Sequence, residues 1–255
     1  MFLFLIFSAV QGLTEFIPVS SSLHLIFVSD LLNGNIDLIT TVSIHLGSIL
    51  ALIFFLYQNN LQDKSLNPTR LIKISFLGSL PIFLAGLLFY DYIKNDFSIS
   101  NLAILSTIIF GICLIFIDKL PVNSKYKVSD ISIGKILLIG LFQCLSLIPG
   151  TSRAASVLIG SRFLKMNNKD SVIIALILSF PVILGAFSLT LFMEMFINKS
   201  INILITPKLV LSIVVSFICS YASILFLYKY STRIGFKYFG YYRVFLGLIL
   251  GFYYF

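Results

Sequence analysis

A glutamine and a glutamate four positions apart lie in an apolar stretch near the start of the chain. At this spacing Gln11 and Glu15 share one face of a helix, and Glu15 is the only acidic residue among the first 29. A carboxylate in so apolar a segment is a candidate functional residue. Carboxylate and amide oxygens are also the ligands that Mg²⁺ and Ca²⁺ prefer. We therefore predict a divalent-cation site, for Mg²⁺ or Ca²⁺, at Gln11 and Glu15.

A proline and a serine cluster follow directly. Pro18 would end the helix and place Ser20–Ser22 in a loop, and His24 lies three residues after Ser21. A histidine so close can accept or steady the hydroxyl proton, which is the usual activation of a serine nucleophile. The plainer alternative is that these serines only bond the backbone groups that the proline frees. His45 has no carboxylate within several residues, and we expect it to be structural.

A second polar motif, Pro149-Gly150-Thr151-Ser152-Arg153, interrupts another apolar run. An arginine in hydrocarbon costs roughly 2.5–3.5 kcal/mol on insertion scales, so it requires an anionic partner or a wet cavity. A glycine turn that opens a helix presents free N–H groups to an anion, and arginine adds a bidentate fork that suits phosphate. We predict that Gly150, Ser152 and Arg153 bind phosphate. Both motifs together indicate hydrolysis of a phosphoanhydride on a lipid, although a transporter for an anionic lipid fits the spacing as well.

The composition indicates a membrane protein. Of the 255 residues, 58% are hydrophobic and 11% are charged, and the mean hydropathy is +1.04. A soluble domain of this length could not bury so much apolar surface. The net charge of +8 could indicate nucleic-acid binding, but the basic residues lie in short loops, where membrane orientation explains them better. We expect an all-α polytopic membrane protein that contacts the lipid bilayer and binds no nucleic acid.

Eight apolar segments are separated by these loops. Six are long enough to cross a bilayer as single helices, whereas the first and the fifth are interrupted by the two polar motifs. The fifth has basic residues at both ends, so a re-entrant hairpin that enters and leaves on the cytoplasmic side satisfies the positive-inside rule. We interpret the first as a second re-entrant hairpin, with a simple span as the alternative. The segments cover approximately 2–28, 38–57, 71–93, 101–118, 135–161, 171–196, 207–228 and 239–255.

The order of the segments repeats. A broken segment followed by three spans occurs twice, and three spans place the two halves in opposite orientations. The sequence at 11–18 also resembles that at 143–149 with one residue deleted. Inverted repeats place the binding site near the middle of the membrane, where the broken segments meet. We predict a single integral domain over residues 1–255 with pseudo-repeats at about 1–118 and 135–255; chance similarity of apolar sequence is the alternative.

At these residues the chain resembles the undecaprenyl-diphosphatase family of bacterial membrane enzymes, the bacitracin-resistance type. Gln11 and Glu15 fit the family's Glu/Gln-x-x-x-Glu motif, and residues 18–24 fit Pro-Val-Ser-Ser-x-Gly-His, with Leu23 in the glycine position. From residue 149 the chain matches Pro-Gly-x-Ser-Arg-Ser-Gly-x-Thr as far as its arginine. The departures after it are Ala154, Ala155 and Val157, where the family has Ser, Gly and Thr.

The resemblance implies hydrolysis of undecaprenyl diphosphate to undecaprenyl phosphate and inorganic phosphate, which recycles the lipid carrier for cell-wall synthesis. It implies that Ser21 attacks the terminal phosphorus, that His24 assists proton transfer and that Glu15 with Gln11 holds the divalent cation. The residues implied in phosphate binding are Gly150, Ser152 and Arg153.

Three alternatives stay open at this point. His24 could itself be the nucleophile, the chain could be a carrier (flippase) of polyprenyl phosphate, or its departures could make it a catalytically weakened member of the family. The resemblance further implies a location in the bacterial inner membrane, an active site that faces the periplasm and a polyprenyl diphosphate substrate. A homodimer is also considered.

Overall fold

Ten α-helices and one short 3₁₀ helix make up most of the chain that the computed structural model describes, which is residues 2–34, 38–62, 67–89, 100–123, 127–192 and 206–254. No strand occurs within these ranges. The protein is therefore the all-α polytopic membrane protein expected from its composition. The helices are α1 (Phe2–Thr14), α2 (Ser21–Leu31), α3 (Leu38–Gln62), α4 (Pro68–Leu88), α5 (Asn101–Ile117), α6 (Ile133–Cys144), α7 (Arg153–Phe163), α8 (Asn168–Phe192), α9 (Pro207–Ile234) and α10 (Lys237–Tyr254), with the 3₁₀ helix at Leu145–Leu147.

Four of the described helices, α3, α4, α8 and α9, are long and apolar enough to cross a membrane. They have 25, 21, 25 and 28 residues. The other two predicted spans coincide with α5 and α10, but α5 has only 17 residues, and α10 carries the buried Arg243. The multi-pass character is confirmed by the four long helices, whereas the number of six spans stays a prediction.

Capping residues fix where several helices begin. The side chains of Asn67, Ser100 and Thr206 accept hydrogen bonds from backbone N–H groups in the first turns of α4, α5 and α9, at 2.9, 3.3 and 3.2 Å. α4 and α9 also start with a proline, whose missing N–H would be unpaired at this position in any case.

The two segments with polar motifs are broken helices. α1 and α2 flank a turn at residues 15–20, and α6 and α7 flank the 3₁₀ helix and a turn at 148–152. Ser20 (φ 73°) and Ser152 (φ 71°) directly precede α2 and α7, and both have the left-handed backbone that L-residues rarely adopt. Such conformations persist where the surrounding structure imposes them, often at functional sites. The re-entrant course of the two hairpins through the membrane stays a prediction.

The helices of the two halves pack in matching pairs. α1 packs against α9 as α6 packs against α4, and α3 packs against α9 as α8 packs against α4. α5 and α10 pack against each other. Exchanging the first half for the second leaves these five contacts unchanged, whereas the contacts of α7 with α8 and with α5 are not matched to the same extent by α2. The domain boundaries and the inverted orientation stay predictions, because helix contacts do not define a direction relative to the membrane.

α9 packs against α1, which carries Gln11 of the first motif, and against α3, whose first residues line the cavity described below. Gly12 in α1 and Gly47 in α3 face α9 so closely that a methyl group on either would lie within 2.7 Å of α9 atoms. Hydroxyl groups of α9 then reach both neighbours: the Oγ atoms of Ser220 and Ser48 are 2.9 Å apart, and Ser223 Oγ donates to Gly12 O at 3.0 Å. Small residues and interhelical hydrogen bonds are the usual means of helix packing in membranes.

Candidate active site

The turns of the two broken segments meet at a cavity of about 480 Å³ that also reaches the start of α3. Leu25, Ile26, Ile44 and Ile148 supply apolar wall, so the cavity can accept a polar head group attached to an apolar chain. The predicted site residues that line it are Gln11, Glu15, Ser21, Gly150, Ser152 and Arg153.

The Glu15 carboxylate joins the two motifs. Its Oε2 atom accepts hydrogen bonds from Ser21 Oγ at 2.6 Å and from Gln11 Nε2 at 2.7 Å, and its Oε1 atom forms an ion pair with Arg153 Nη2. The carboxylate is buried, with its side chain 1% exposed, whereas Arg153 is 22% exposed. A buried charge is tolerated when it is paired and hydrogen-bonded. Glu15 therefore positions the Ser21 hydroxyl at one of its carboxylate oxygens and the Arg153 guanidinium at the other.

Ser21 has the geometry of a nucleophile whose proton acceptor is a carboxylate. It is the first residue of α2, where the free N–H groups of a helix start favour an incoming anion. Its hydroxyl proton points to Glu15 Oε2 at 2.6 Å, which leaves the oxygen lone pairs for the cavity. The sequence interpretation assigned the proton acceptor to His24, but the structure brings Glu15 to this position.

His24 does not line the cavity. Its Nδ1 atom lies 2.7 Å from Ser20 O, and its Nε2 atom lies 2.7 Å from the Tyr242 hydroxyl. Because Ser20 O can only accept, Nδ1 carries the hydrogen and Nε2 accepts from Tyr242. The His24 and Tyr242 rings are also stacked, with centroids 5.7 Å apart. These contacts fasten α2 to α10 and occupy both ring nitrogens.

His45, which we expected to be structural, lines the cavity instead. It lies one turn after Thr41 on α3, and its Nδ1 atom is 2.8 Å from Thr41 O. The signal in the sequence was the spacing of Thr41, His45 and Ser48, which places three polar side chains on one face of α3. Without a carboxylate nearby in the sequence, that pattern did not single out His45.

The second motif is shaped by its packing against α5. Gly150 has φ 87°, and a methyl group there would overlap Ala103 O, so both the backbone and the space favour glycine. Ser152 caps α7 by accepting from Ala155 N–H at 3.4 Å. This turn places Arg153 on the first turn of α7, facing Glu15.

A second arginine, Arg243, holds both turns from behind the cavity. It is fully buried and has no carboxylate partner among the described residues. It donates to Pro18 O at 3.1 Å in the first turn, and to Gly150 O at 2.7 Å and Thr151 O at 2.8 Å in the second. A further bond to Thr107 O, at 3.2 Å, fixes it to α5. The sequence showed Arg243 as a cation within an apolar segment but not these partners.

Comparison with known proteins identifies the family. The sequence model of the family described as bacitracin resistance protein BacA matches residues 4–249. The chain belongs to the BacA family. Similar proteins include an undecaprenyl-diphosphatase from Pelagibacter ubique, 36% identical over 249 residues that cover 96% of this chain and 94% of that protein. Undecaprenyl-diphosphatase 1 from Clostridioides difficile is 36% identical over 263 residues, covering 98% and 94%. An undecaprenyl-diphosphatase from Sulfurimonas denitrificans is 34% identical, covering 96% of each chain.

The positions at which this BacA protein departs from the motif are buried. Leu23 packs with Ala103 and Leu246, and it is 2% exposed. The three departures of the second motif are no more than 3% exposed, and the cavity is lined by other residues. The hydroxyl groups that the family has at positions 154 and 157 would therefore lie in helix packing rather than in the cavity. The buried departures are Leu23, Ala154, Ala155 and Val157.

Arg243→Met is expected to lower the thermal unfolding temperature of the detergent-solubilised protein strongly. Four backbone carbonyl groups lose the Arg243 donor, although Gly150 O keeps the Thr107 hydroxyl at 3.1 Å. Each buried group that is left unsatisfied costs roughly 1–3 kcal/mol. Arg233→Met makes the same chemical change at an exposed position on the last turn of α9 and is expected to change the temperature little. Equal unfolding temperatures for the two variants would contradict the clamp that we assign to Arg243.

Proposed function

We propose that the protein hydrolyses undecaprenyl diphosphate to undecaprenyl phosphate and inorganic phosphate, which recycles the lipid carrier for cell-wall synthesis. Relatives at 34–36% identity carry the name undecaprenyl-diphosphatase. The observation that carries the proposal for this chain is the contact of the Ser21 hydroxyl with the Glu15 carboxylate, which Arg153 pairs from the other side of the cavity. The proposed nucleophile Ser21, its proton acceptor Glu15 and the phosphate-binding guanidinium of Arg153 therefore lie within one site.

In the first half of the proposed reaction, Ser21 Oγ attacks the terminal phosphorus and passes its proton to Glu15. A bond forms between Oγ and phosphorus, and the bond from phosphorus to the bridging oxygen breaks. The bridging oxygen leaves with undecaprenyl phosphate. Arg153 and the N-terminus of α7 bind the oxygens on which charge develops, and such positioning supplies most of the catalysis of phosphoryl transfer. Water then hydrolyses the phosphoserine to regenerate Ser21.

Two helix N-termini face the cavity, and they support a diphosphate as the group that binds there. α2 begins at Ser21 and α7 begins at Arg153, so both present backbone N–H groups on the side of the cavity. The aliphatic wall at Leu25, Ile26 and Ile148 lies beside these polar groups. This wall supports a substrate whose prenyl chain stays in the bilayer while its head group enters the cavity.

We also propose that a divalent cation, Mg²⁺ or Ca²⁺, takes part. Gln11 Oε1 is buried and makes no hydrogen bond within the described residues, so it is free to act as a ligand beside Glu15. No group of three His, Cys, Asp or Glu side chains that could hold a metal occurs in the described part of the chain. Gln11 and Glu15 would therefore share the cation with substrate oxygens, as is common for Mg²⁺. When bound, the cation would neutralise charge on the diphosphate.

We further propose that the cavity faces the periplasm and that the membrane is the bacterial inner membrane. Thr41 and His45, which line the cavity, lie on the first two turns of α3. The preceding residues 29–37 contain two aspartates and no lysine or arginine, whereas Arg70 and Lys73 follow the other end of α3. The positive-inside rule puts the basic end in the cytoplasm and the cavity end outside. A homodimer stays a prediction, which the molar mass of the protein in detergent would test.

The proposed activity is tested by release of inorganic phosphate from undecaprenyl diphosphate by the purified protein. We expect release that stops with a chelator and returns with Mg²⁺ or Ca²⁺. Gln11→Leu should raise the cation concentration needed for half-maximal activity by about 10–100-fold, the usual range for loss of one supporting group at a metal. Gln143→Leu is the matched control, because it removes a buried amide that also has an unpaired oxygen but lies outside the cavity.

Two outcomes would contradict the proposal. Tight lipid binding without phosphate release in any cation would indicate the carrier instead of the enzyme. Equal cation dependence in the Gln11 and Gln143 variants would exclude Gln11 as a ligand while leaving the phosphatase proposal intact.

A further inference from the structure

His45 lies between two cavities. The large cavity contains Ser21 and Arg153, and a second cavity of about 40 Å³ lies between α3 and α8. Thr41 and His45 line both of them. One imidazole ring is therefore in contact with the reaction site on one side and with a small separate space on the other.

The hydrogen bond of His45 fixes which ring nitrogen can act as a base. Thr41 O, 2.8 Å from Nδ1, can only accept, so Nδ1 carries the hydrogen in the neutral ring. The lone pair is then on Nε2, at the opposite edge of the imidazole. The chain has two histidines, and the Nε2 atom of the other one, His24, accepts the Tyr242 hydroxyl outside the cavity. Of the two rings, His45 is the one that lines the site.

The small cavity has the size and the polar groups to hold water. A water molecule needs about 10–15 Å³ of such space and two to four polar partners. The Thr190 hydroxyl donates to Ala186 O at 3.0 Å, and its lone pairs can accept from a water. Thr41 also lines this cavity, and its hydroxyl is a second group that can bond the water, so a water can lie next to the imidazole without occupying Nε2.

A second proton acceptor is needed when Glu15 keeps the proton of Ser21 until the phosphoserine breaks. Glu15 takes the proton of Ser21 in the first half, and it must return that proton to Ser21 Oγ when the phosphoserine breaks. In this second half of the reaction, the attacking water also loses a proton as its oxygen bonds to phosphorus. On this route the water gives its proton to a different base in the cavity that contains Ser21.

From this position we infer that His45 is the general base that activates the hydrolytic water for attack on the phosphoserine, an inference that rests on the proposed function. A bond forms between the water oxygen and phosphorus, and the water proton passes to His45 Nε2. The bond between Ser21 Oγ and phosphorus breaks, and Oγ takes back the proton held by Glu15. Inorganic phosphate leaves, and His45 releases its proton to the solvent.

The test is a rapid acid-quench experiment with undecaprenyl diphosphate radiolabelled in its terminal phosphate. Glutamine at position 45 can keep a hydrogen bond to Thr41 O but cannot accept the proton. We expect His45→Gln to release one equivalent of undecaprenyl phosphate at the wild-type rate. The rate at which this variant then releases inorganic phosphate should be about 10²–10⁴-fold below the wild-type rate, the usual contribution of a general base. Acid-stable phosphoserine should accumulate at Ser21.

His24→Gln is the matched control, since it makes the same change on the other histidine. Because that ring lies outside the cavity, any loss of activity should come without trapped phosphoserine. His45→Ala extends the test: imidazole added to this variant should shorten the lifetime of the phosphoserine.

The inference is overturned if His45→Gln releases phosphate at the wild-type rate, or if it slows turnover without accumulating phosphoserine. Failure of imidazole to shorten the lifetime of phosphoserine in His45→Ala also counts against it. These results would leave the proposed function standing, provided that the wild-type protein releases phosphate. A wild-type protein without phosphate release would overturn both.

Discussion

Ser21→Ala is expected to lower phosphate release from undecaprenyl diphosphate by roughly four to six orders of magnitude, as loss of a serine nucleophile does elsewhere. The substitution removes the oxygen that would bond to phosphorus. It leaves the ion pair between Glu15 and Arg153 and both helix N-termini in place, so lipid binding should change far less than turnover. Single-turnover phosphate release, measured beside equilibrium binding of the lipid, separates the two effects.

Ser22→Ala is the control for this prediction. Ser22 also lines the cavity, but its hydroxyl contacts only Ser20 Oγ at 3.4 Å and has no carboxylate acceptor in the described structure. Ser22→Ala is therefore expected to lower the rate of phosphate release only slightly. Unchanged turnover in Ser21→Ala would exclude Ser21 as the nucleophile, and acid-labile phosphate on His24 would support the alternative nucleophile.

Arg153→Lys should reduce turnover by about 10²–10³-fold, the usual cost of removing one donor to the charge of a transition state. Lysine keeps a positive charge for Glu15 but loses the planar fork that can serve Glu15 and a phosphate oxygen together. Arg153→Met should cost more, because it also leaves the buried Glu15 carboxylate without its cation. The turnover number and the Michaelis constant of each variant measure the two contributions.

The matched substitution is Arg233→Lys, which exchanges the same residue types at an exposed position far along α9. It is expected to leave both kinetic constants near their wild-type values. Full activity of Arg153→Lys would show that bidentate binding by Arg153 is not needed, and the phosphate-binding role would then fall to the helix N-termini.

The apolar segments of the sequence predicted where the helices lie, and Pro18 with Pro149-Gly150 predicted where two of them break. These features are local: hydropathy over some twenty residues and the lack of an N–H on proline act within one segment. The number of spans stays a prediction, since α5 has 17 residues and lies at the short end of the range that crosses a bilayer. The polar residues of the two breaks lie around one cavity in the structure.

The roles of individual side chains depended on contacts that no local pattern contains. His24 is turned away from Ser21 by Tyr242, which lies 218 residues further along the chain. His45 lines the cavity because α9 holds α3 against α1. The divalent cation that the sequence suggested beside Gln11 and Glu15 stays a prediction, and the structure adds the ion pair of Glu15 with Arg153.

The same distant contacts have a consequence for the order of folding. The hydrogen bonds that complete the site join residues separated by 138 positions, from Arg153 to Glu15, and by 225 positions, from Arg243 to Pro18. Contacts at such separations form late, after the local helices. During synthesis, the bond from Arg243 to Pro18 therefore forms only after α10 has been made and has packed against the preceding helices. A nascent chain that lacks α10 has all the reactive side chains but lacks the Arg243 bonds that hold the two turns.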